Sequence, residues 1–264
     1  MTSLSDTTTL TAALIQTDLV WEDVTANLAN LEEKISALDE VDVIVLPEMF
    51  NTAFTMNTSV AEPMNFTTTR WMRQMAELKQ ALVIGSFAAK QGDQFFNRLV
   101  CMKPDGSFQF SDKRHLFRMG GENEAYTPGD VRLIVEWKLW RICPLVCYDL
   151  RFPVWSRNNA SDPYDVLVYV ANWPAKRAYA WNTLLRARAI ENQAYVLGVN
   201  RVGVDGKQIH YQGDSAALDY LGEPLLMLAD AEGEKVVRLS REDLDKYRLA
   251  FPALTDADGF ELQR

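Results

Sequence analysis

Apolar residues along this chain fall into two kinds of run. Short blocks are apolar at nearly every position: "LTAALIQT" (10–17), "VDVIVLPE" (41–48), "ALVIGSFAAK" (81–90), "DVLVYVAN" (165–172) and "AYVLGVNRV" (194–202). Several are rich in β-branched residues, and such blocks predict strands buried on both faces. Between them lie stretches with apolar residues every third or fourth position. In "VTANLANLEEKISAL", Leu28, Leu31, Ile35 and Leu38 form one helical face. Residues 67–80 and "WNTLLRARAIENQ" (181–193) predict further helices, and a short one is expected near 152–159. "FFNRLVCMKPDGSFQFSDK" places Pro-Asp-Gly between two strand-like runs and predicts a hairpin. "VRLIVEW" (131–137) and "LWRICPLVCY" (139–148) predict two more strands. After residue 203 the pattern predicts glycine-punctuated strands and a polar tail, "TDADGFELQR". Helices alternating with apolar strands, mixed with hairpins, imply an α/β fold with helix-covered sheets.

No repeat, low-complexity stretch or Pro/Gly/Ser linker divides the chain, so one domain spanning 1–264 is expected, ending in the polar tail. Composition is that of a folded protein, 48% hydrophobic and 24% charged. The net charge of −9 argues against a nucleic-acid groove or an anionic membrane surface, which need clustered Lys and Arg. A local arginine can still hold a small anion, because charge is screened over about 10 Å. The start lacks a basic region ahead of a short apolar stretch and does not read as a signal peptide. No segment reaches the roughly 18 apolar residues of a membrane span. With three cysteines in 264 residues this is no disulfide scaffold, and a cytoplasmic protein with reduced thiols is expected.

Candidate chemistry gathers at predicted strand ends, where open α/β sheets place their ligands. One strand ends in Leu46-Pro47-Glu48, another in Asp112-Lys113-Arg114-His115, a third in Cys147-Tyr148-Asp149. Together they offer a carboxylate, an ammonium and a thiol. A thiol needs a base to become a thiolate, and an amide needs its tetrahedral oxyanion stabilised. Glutamate can take the thiol proton, while lysine and the backbone N–H of Tyr148 can hold the oxyanion. The residues alone leave plainer readings open. Cys147 and Cys143 are also what an apolar core uses as filler, Glu48 also fits a solvated strand end, and Lys-Arg-His also fits a solvated face.

In order along the chain, "VIVLPEMF", "DKRHLF" and "ICPLVCYDLRFP" resemble the Glu, Lys and Cys segments of the nitrilase (carbon–nitrogen hydrolase) superfamily. "YVANWP", "LLRARAIENQAYVLGVNRVG" and "YQGDSAALDYLGE" also follow the family's pattern, so the resemblance runs from about residue 10 to residue 240. It implies a four-layer αββα sandwich with Glu48 as general base, Lys113 as oxyanion holder and Cys147 as nucleophile. Glu122, in "GENEAYTPG", matches a second, supporting glutamate, with Glu124 as the alternative. The resemblance further implies no cofactor, no metal, and a homodimer or larger assembly.

The runs "CYDLRFPVWSRN" and "ANWP" look most like the bacterial ω-amidase branch, whose substrates, 2-oxoglutaramate and 2-oxosuccinamate, carry a carboxylate away from the amide. A carboxylate calls for an arginine, with Arg151, Arg118 and Arg177 as candidates, and for an aromatic wall, with Phe117, Trp173 and Tyr126 as candidates. Arg151 could instead be a structural partner for Asp149 or for a helix end, and Asn172 could simply cap the turn before Pro174. Arg186, Arg188 and Glu191 are expected on a solvated or interface helix face. The rival readings are another amidase, carbamoyl-amine hydrolase or nitrilase on the same triad, and a non-enzymatic nitrilase-like interaction module. A redox or metal site on Cys143 and Cys147 is disfavoured: four residues along a strand is about 13 Å, too far for one disulfide.

Overall fold

The computed structural model of the protein describes residues 8–262. Its first half runs β1 (Thr9–Gln16), α1 (Val24–Ser36), β2 (Val43–Val45), β3 (Glu62–Pro63), α2 (Thr67–Lys79), β4 (Leu82–Gln91), β5 (Gln94–Met102) and β6 (Phe108–Asp112). The second half runs α3 (Glu122–Ala125), β7 (Val135–Trp137), β8 (Trp140–Val146), α4 (Pro153–Ser156), β9 (Val166–Ala171), α5 (Ala178–Asn192), β10 (Tyr195–Asn200), β11 (Val202–Val204), β12 (His210–Gln212), β13 (Ala216–Leu218), β14 (Pro224–Met227), β15 (Gly233–Ser240) and α6 (Arg241–Ala250).

The alternation of strand side chains decides the layering. In β1, Leu10, Ala12 and Leu14 bury on one face while Ala13 and Ile15 bury on the other. β2 and β4 do the same, with Val43, Val45, Leu82 and Ile84 on the first face and Ile44 and Val83 on the second. The second face packs on Leu28, Leu31 and Ile35 of α1 and on Trp71, Met72 and Met75 of α2. The first face packs on a second sheet, through residues such as Ile142, Val168 and Leu197, whose cluster also takes in Trp181, Leu185 and Ala189 of α5. The result is helix, sheet, sheet, helix: the αββα sandwich.

The first sheet has the order β15-β1-β2-β4-β5-β6, with β3 beside β4, and its β1, β2 and β4 are parallel. The second has the order β14-β13-β10-β9-β8-β7, with β8, β9 and β10 parallel. The carboxyl ends of β2, β8 and β9 lead into Glu48, Cys147 and Asn172, which lie together where the two sheets meet.

Two expectations need correction. The strand read at 131–137 is regular only from Val135, and residues 130–134 form no regular element. The stretch after 203, read as strands ending in a polar tail, also contains α6. That helix buries only Leu244 of its ten residues, so no apolar stripe announced it. It is marked instead by its N-cap, Ser240, whose hydroxyl accepts from the Asp243 N–H. Leu254, at the head of the tail, is buried too. Among the described residues no helix is long and apolar enough to cross a membrane.

Candidate active site

Glu48 leaves β2 through Leu46-Pro47 and is fully buried. Its Oε1 accepts from the Lys113 ammonium at 2.8 Å and from Asn97 Nδ2 at 2.8 Å; its Oε2 accepts from the Asn172 backbone N–H at 2.9 Å. Lys113, just past the end of β6, also donates to Glu122 at 2.9 and 3.0 Å. Glu122 is in turn fixed by Asn97 Nδ2 (3.0 Å) and by the Phe117 N–H (2.6 Å). Two carboxylates and one ammonium therefore share one buried network, and Asn97 bridges the carboxylates. Of the two candidate supporting glutamates, Glu122 is buried against Lys113, while Glu124 is exposed.

Cys147 follows β8 directly and starts one turn of 3₁₀ helix over Cys147–Arg151. Its φ is +43°, in the left-handed region that a side-chain-bearing residue enters only when its surroundings impose it. The thiol lies 3.9 Å from the Asn172 carbonyl oxygen. Burial pushes its pKa well above the ordinary 9.0, Glu48's negative charge pushes it further, and Lys113 offsets part of this. For Lys113 burial works against the charge, but Glu122 and Glu48 outweigh it and hold the pKa above the ordinary lysine value. Burial raises Glu122, with Lys113 opposing and Glu48 adding to the rise. The Tyr148 N–H sits in the first turn of the short helix, where backbone N–H groups lack partners within the helix.

Glu48, Lys113, Cys147, Tyr148 and Asn172 line a cavity of about 400 Å³. Aromatic rings wall it: Phe54, Phe117, Tyr148, Trp173 and Tyr211. The Lys113 ammonium lies 5.1 Å from the centre of the Phe54 ring. Among the described residues five cations line the cavity, Lys113, Arg151, Lys176, Arg177 and Lys207, against two carboxylates, Glu48 and Asp205. Asp205 is already occupied, accepting from the N–H groups of Lys207 and Ile209 and from the Tyr211 hydroxyl. In a chain of net charge −9, this cavity is locally suited to an anion.

Of the six expected substrate contacts, Phe117, Arg151, Trp173 and Arg177 line the cavity. Arg151 does not pair with Asp149; its guanidinium sits 4.9 Å from the Trp173 ring centre. Arg118 and Tyr126 need correction. Arg118 is exposed and does not line the cavity. Tyr126 is buried behind the carboxylates among Met49 and Ala88, with its hydroxyl donated to the Thr55 carbonyl. The expectation for Arg188 also fails: it is buried, and it donates to the Leu150 carbonyl (2.6 Å) and to Glu191 (2.9 Å), tying α5 to the turn that carries Cys147. Asn172 does more than cap a turn, since its N–H and its Nδ2 both donate to Glu48. Asn97, Asp205, Lys207 and Tyr211 gave no local signal in the sequence, being polar residues within or just past strands whose role appears only on folding. Cys143 is buried in the core, its thiol pushed up to about 12 by burial first.

A thiol between a carboxylate and an ammonium, opening into an apolar cavity with cations, is equipped to attack an acyl carbon and hold the oxyanion that forms. The carbon–nitrogen hydrolase family profile matches residues 11–248. The ω-amidase YafV of Yersinia enterocolitica is 49% identical over 96% of this chain and 99% of its own length. A 2-oxoglutaramate amidase of Paenarthrobacter nicotinovorans is 32% identical over 87% of this chain and 82% of its own. Among solved structures, a carbon–nitrogen hydrolase superfamily protein from Xanthomonas campestris, with an arsenic adduct in its active site, superposes with a TM-score of 0.95. It is 44% identical, over 97% of this chain and 99% of that one.

Proposed function

Because this chain belongs to the carbon–nitrogen hydrolase family of the nitrilase superfamily and is an amidohydrolase acting on carbon–nitrogen bonds, we propose that it removes the terminal amide of small ω-amides of the 2-oxoglutaramate or 2-oxosuccinamate type through a thioester on Cys147. Glu48 takes the thiol proton as sulfur attacks the amide carbon. Lys113 and the Tyr148 N–H hold the developing oxyanion. Glu48 then passes the proton to the nitrogen, the C–N bond breaks, and ammonia leaves. Water attacks the thioester, Glu48 accepts its proton, and collapse returns that proton to sulfur, giving the free carboxylic acid. Glu122 and Asn97 keep Lys113 and Glu48 in place throughout.

The observation that carries this reading is the buried contact of Lys113 with both Glu48 and Glu122, with Lys113 and Glu48 lining the same cavity as Cys147. A raised thiol pKa fits a base-assisted attack, in which the thiolate forms only as the bond is made. Cations around the aromatic cavity fit a substrate with a carboxylate remote from the amide. The names of the relatives point to the same substrate class. Ammonia release from 2-oxoglutaramate, a carbamoyl amine and a nitrile, each with wild type and Cys147→Ala, tests the reading. Release from 2-oxoglutaramate by the wild type alone is expected. Preference for either of the other compounds would move the substrate, and activity in the alanine variant would remove the nucleophile.

A further inference from the structure

One buried carboxylate joins the chain segments that carry Lys113 and Cys147, and it belongs to neither role. Asp149 lies in the turn that Cys147 begins and is 1% exposed. Its Oδ2 accepts from the N–H of Val146, the residue before the thiol, at 3.1 Å. Its Oδ1 accepts from the N–H of His115, two residues past Lys113, at 3.0 Å. The same oxygen lies 2.8 Å from His115 Nδ1, which carries its hydrogen when facing a carboxylate. The His115 ring cannot swing away: it stacks on Phe152 (centres 3.8 Å apart, planes 9° apart) and meets Trp155 edge-on. Val146 ends β8 in one sheet, and His115 follows β6 in the other. Asp149 thus fastens the two sheets to each other beside the reacting atoms.

We propose that Asp149 is the positioning residue that holds Lys113 in register with Cys147 across the sandwich. The proposal rests on reading these two as oxyanion holder and nucleophile. Their side chains come from different sheets, so a slide of one sheet end against the other moves the ammonium off the oxyanion without disturbing the cavity wall. An ionised carboxylate accepts all three N–H groups. An asparagine has one acceptor oxygen and must turn its amide hydrogens toward a second N–H, which opens the clamp on one side. Displacements of about 1 Å cost on the order of 100-fold in rate.

Asp149→Asn should therefore lower kcat about 100-fold and leave KM nearly unchanged, because Arg151, Trp173 and Arg177 stay where they are. Alkylation of Cys147 by iodoacetamide at a fixed pH should also slow, about tenfold for each pH unit by which the thiol titrates higher, since Lys113 no longer faces it. A merely structural role would lower the melting temperature or the fraction of active sites and leave per-site kcat and labelling alone. His115→Phe keeps the stacking and the backbone bond, loses only the ring bond, and should shift both readouts in the same direction by less. A folded Asp149→Asn with wild-type kcat and labelling overturns the proposal. If that variant does not fold, wild-type values in His115→Phe overturn it instead. Labelling needs no substrate, so a wild type inert toward 2-oxoglutaramate would refute the substrate assignment while labelling still decides for or against Asp149.

Discussion

A carboxylate beside a buried thiol makes that thiol a poorer acid, and this sets the chemistry at the level of single residues. Burial and the charge of Glu48 both raise the pKa of the Cys147 thiol, and Lys113 offsets only part of that. On the proposed mechanism Glu48 acts as a base at the moment of attack and not as a means of storing a thiolate. Glu48→Gln should abolish turnover and yet lower the thiol pKa, so that iodoacetamide labels Cys147 faster than in the wild type at the same pH. Labelling rates against pH check this, and a slower rate in the variant would mean that Glu48 activates the resting thiol. The strand-end positions of Glu48, Lys113 and Cys147 were legible in the sequence because Glu48 and Cys147 follow apolar strands and Lys113 follows the return strand of a hairpin marked by its Pro-Asp-Gly turn. Asn97 was not legible: a polar residue in mid-strand carries no mark of the two carboxylates it will bridge. Arg118 and Arg177 looked equivalent as cations near the motifs, and only the path of the loops exposes the first and turns the second toward the cavity.

Strands with two buried faces read as continuous apolar blocks, which is why β1, β4, β9 and β10 could be placed from sequence. α6 stayed hidden because tertiary ion pairs hold it, not an apolar stripe. Asp165, buried at the start of β9, accepts from the Arg141 N–H (3.0 Å) and from Arg241 (2.6 Å) and Arg248 (2.9 Å) of α6. Arg248 also donates to the Tyr164 and Gln193 carbonyls, reaching the end of α5. Asp165→Ala leaves a largely buried guanidinium without its carboxylate and should cost about 3 kcal/mol of unfolding free energy. Urea denaturation measures the loss, and kcat should stay at the wild-type value because α6 is remote from the cavity. A variant as stable as the wild type would show that backbone contacts alone dock α6.

At the scale of the molecule, burial shapes the response to alkali. Tyr164, Tyr169, Tyr195 and Tyr211 are all held above the ordinary phenol value of 10.0, chiefly by burial, and Lys113 is held above 10.5 by its two glutamates against the pull of burial. In each case the folded state keeps a proton that the unfolded chain releases near its ordinary value. Stability from these groups is complete below pH 10.0 and is lost as pH rises past it. The urea midpoint should fall between about pH 8 and about pH 11; a flat profile would mean that these groups titrate alike in both states. The sandwich also accounts for the site's location. Glu48 and Lys113 come from one sheet, Cys147 and Asn172 from the other, and the cavity opens where the two sets of strand ends face each other.

The central claim is that Cys147 carries the acyl group during turnover. Acid quenching of the wild type while it hydrolyses 2-oxoglutaramate, followed by mass spectrometry of the peptide holding Cys147, tests this directly. A thioester-linked acyl group on Cys147, absent from Cys147→Ala, is the predicted result. Ammonia release at full rate with no adduct on Cys147, and with the alanine variant still active, would contradict it.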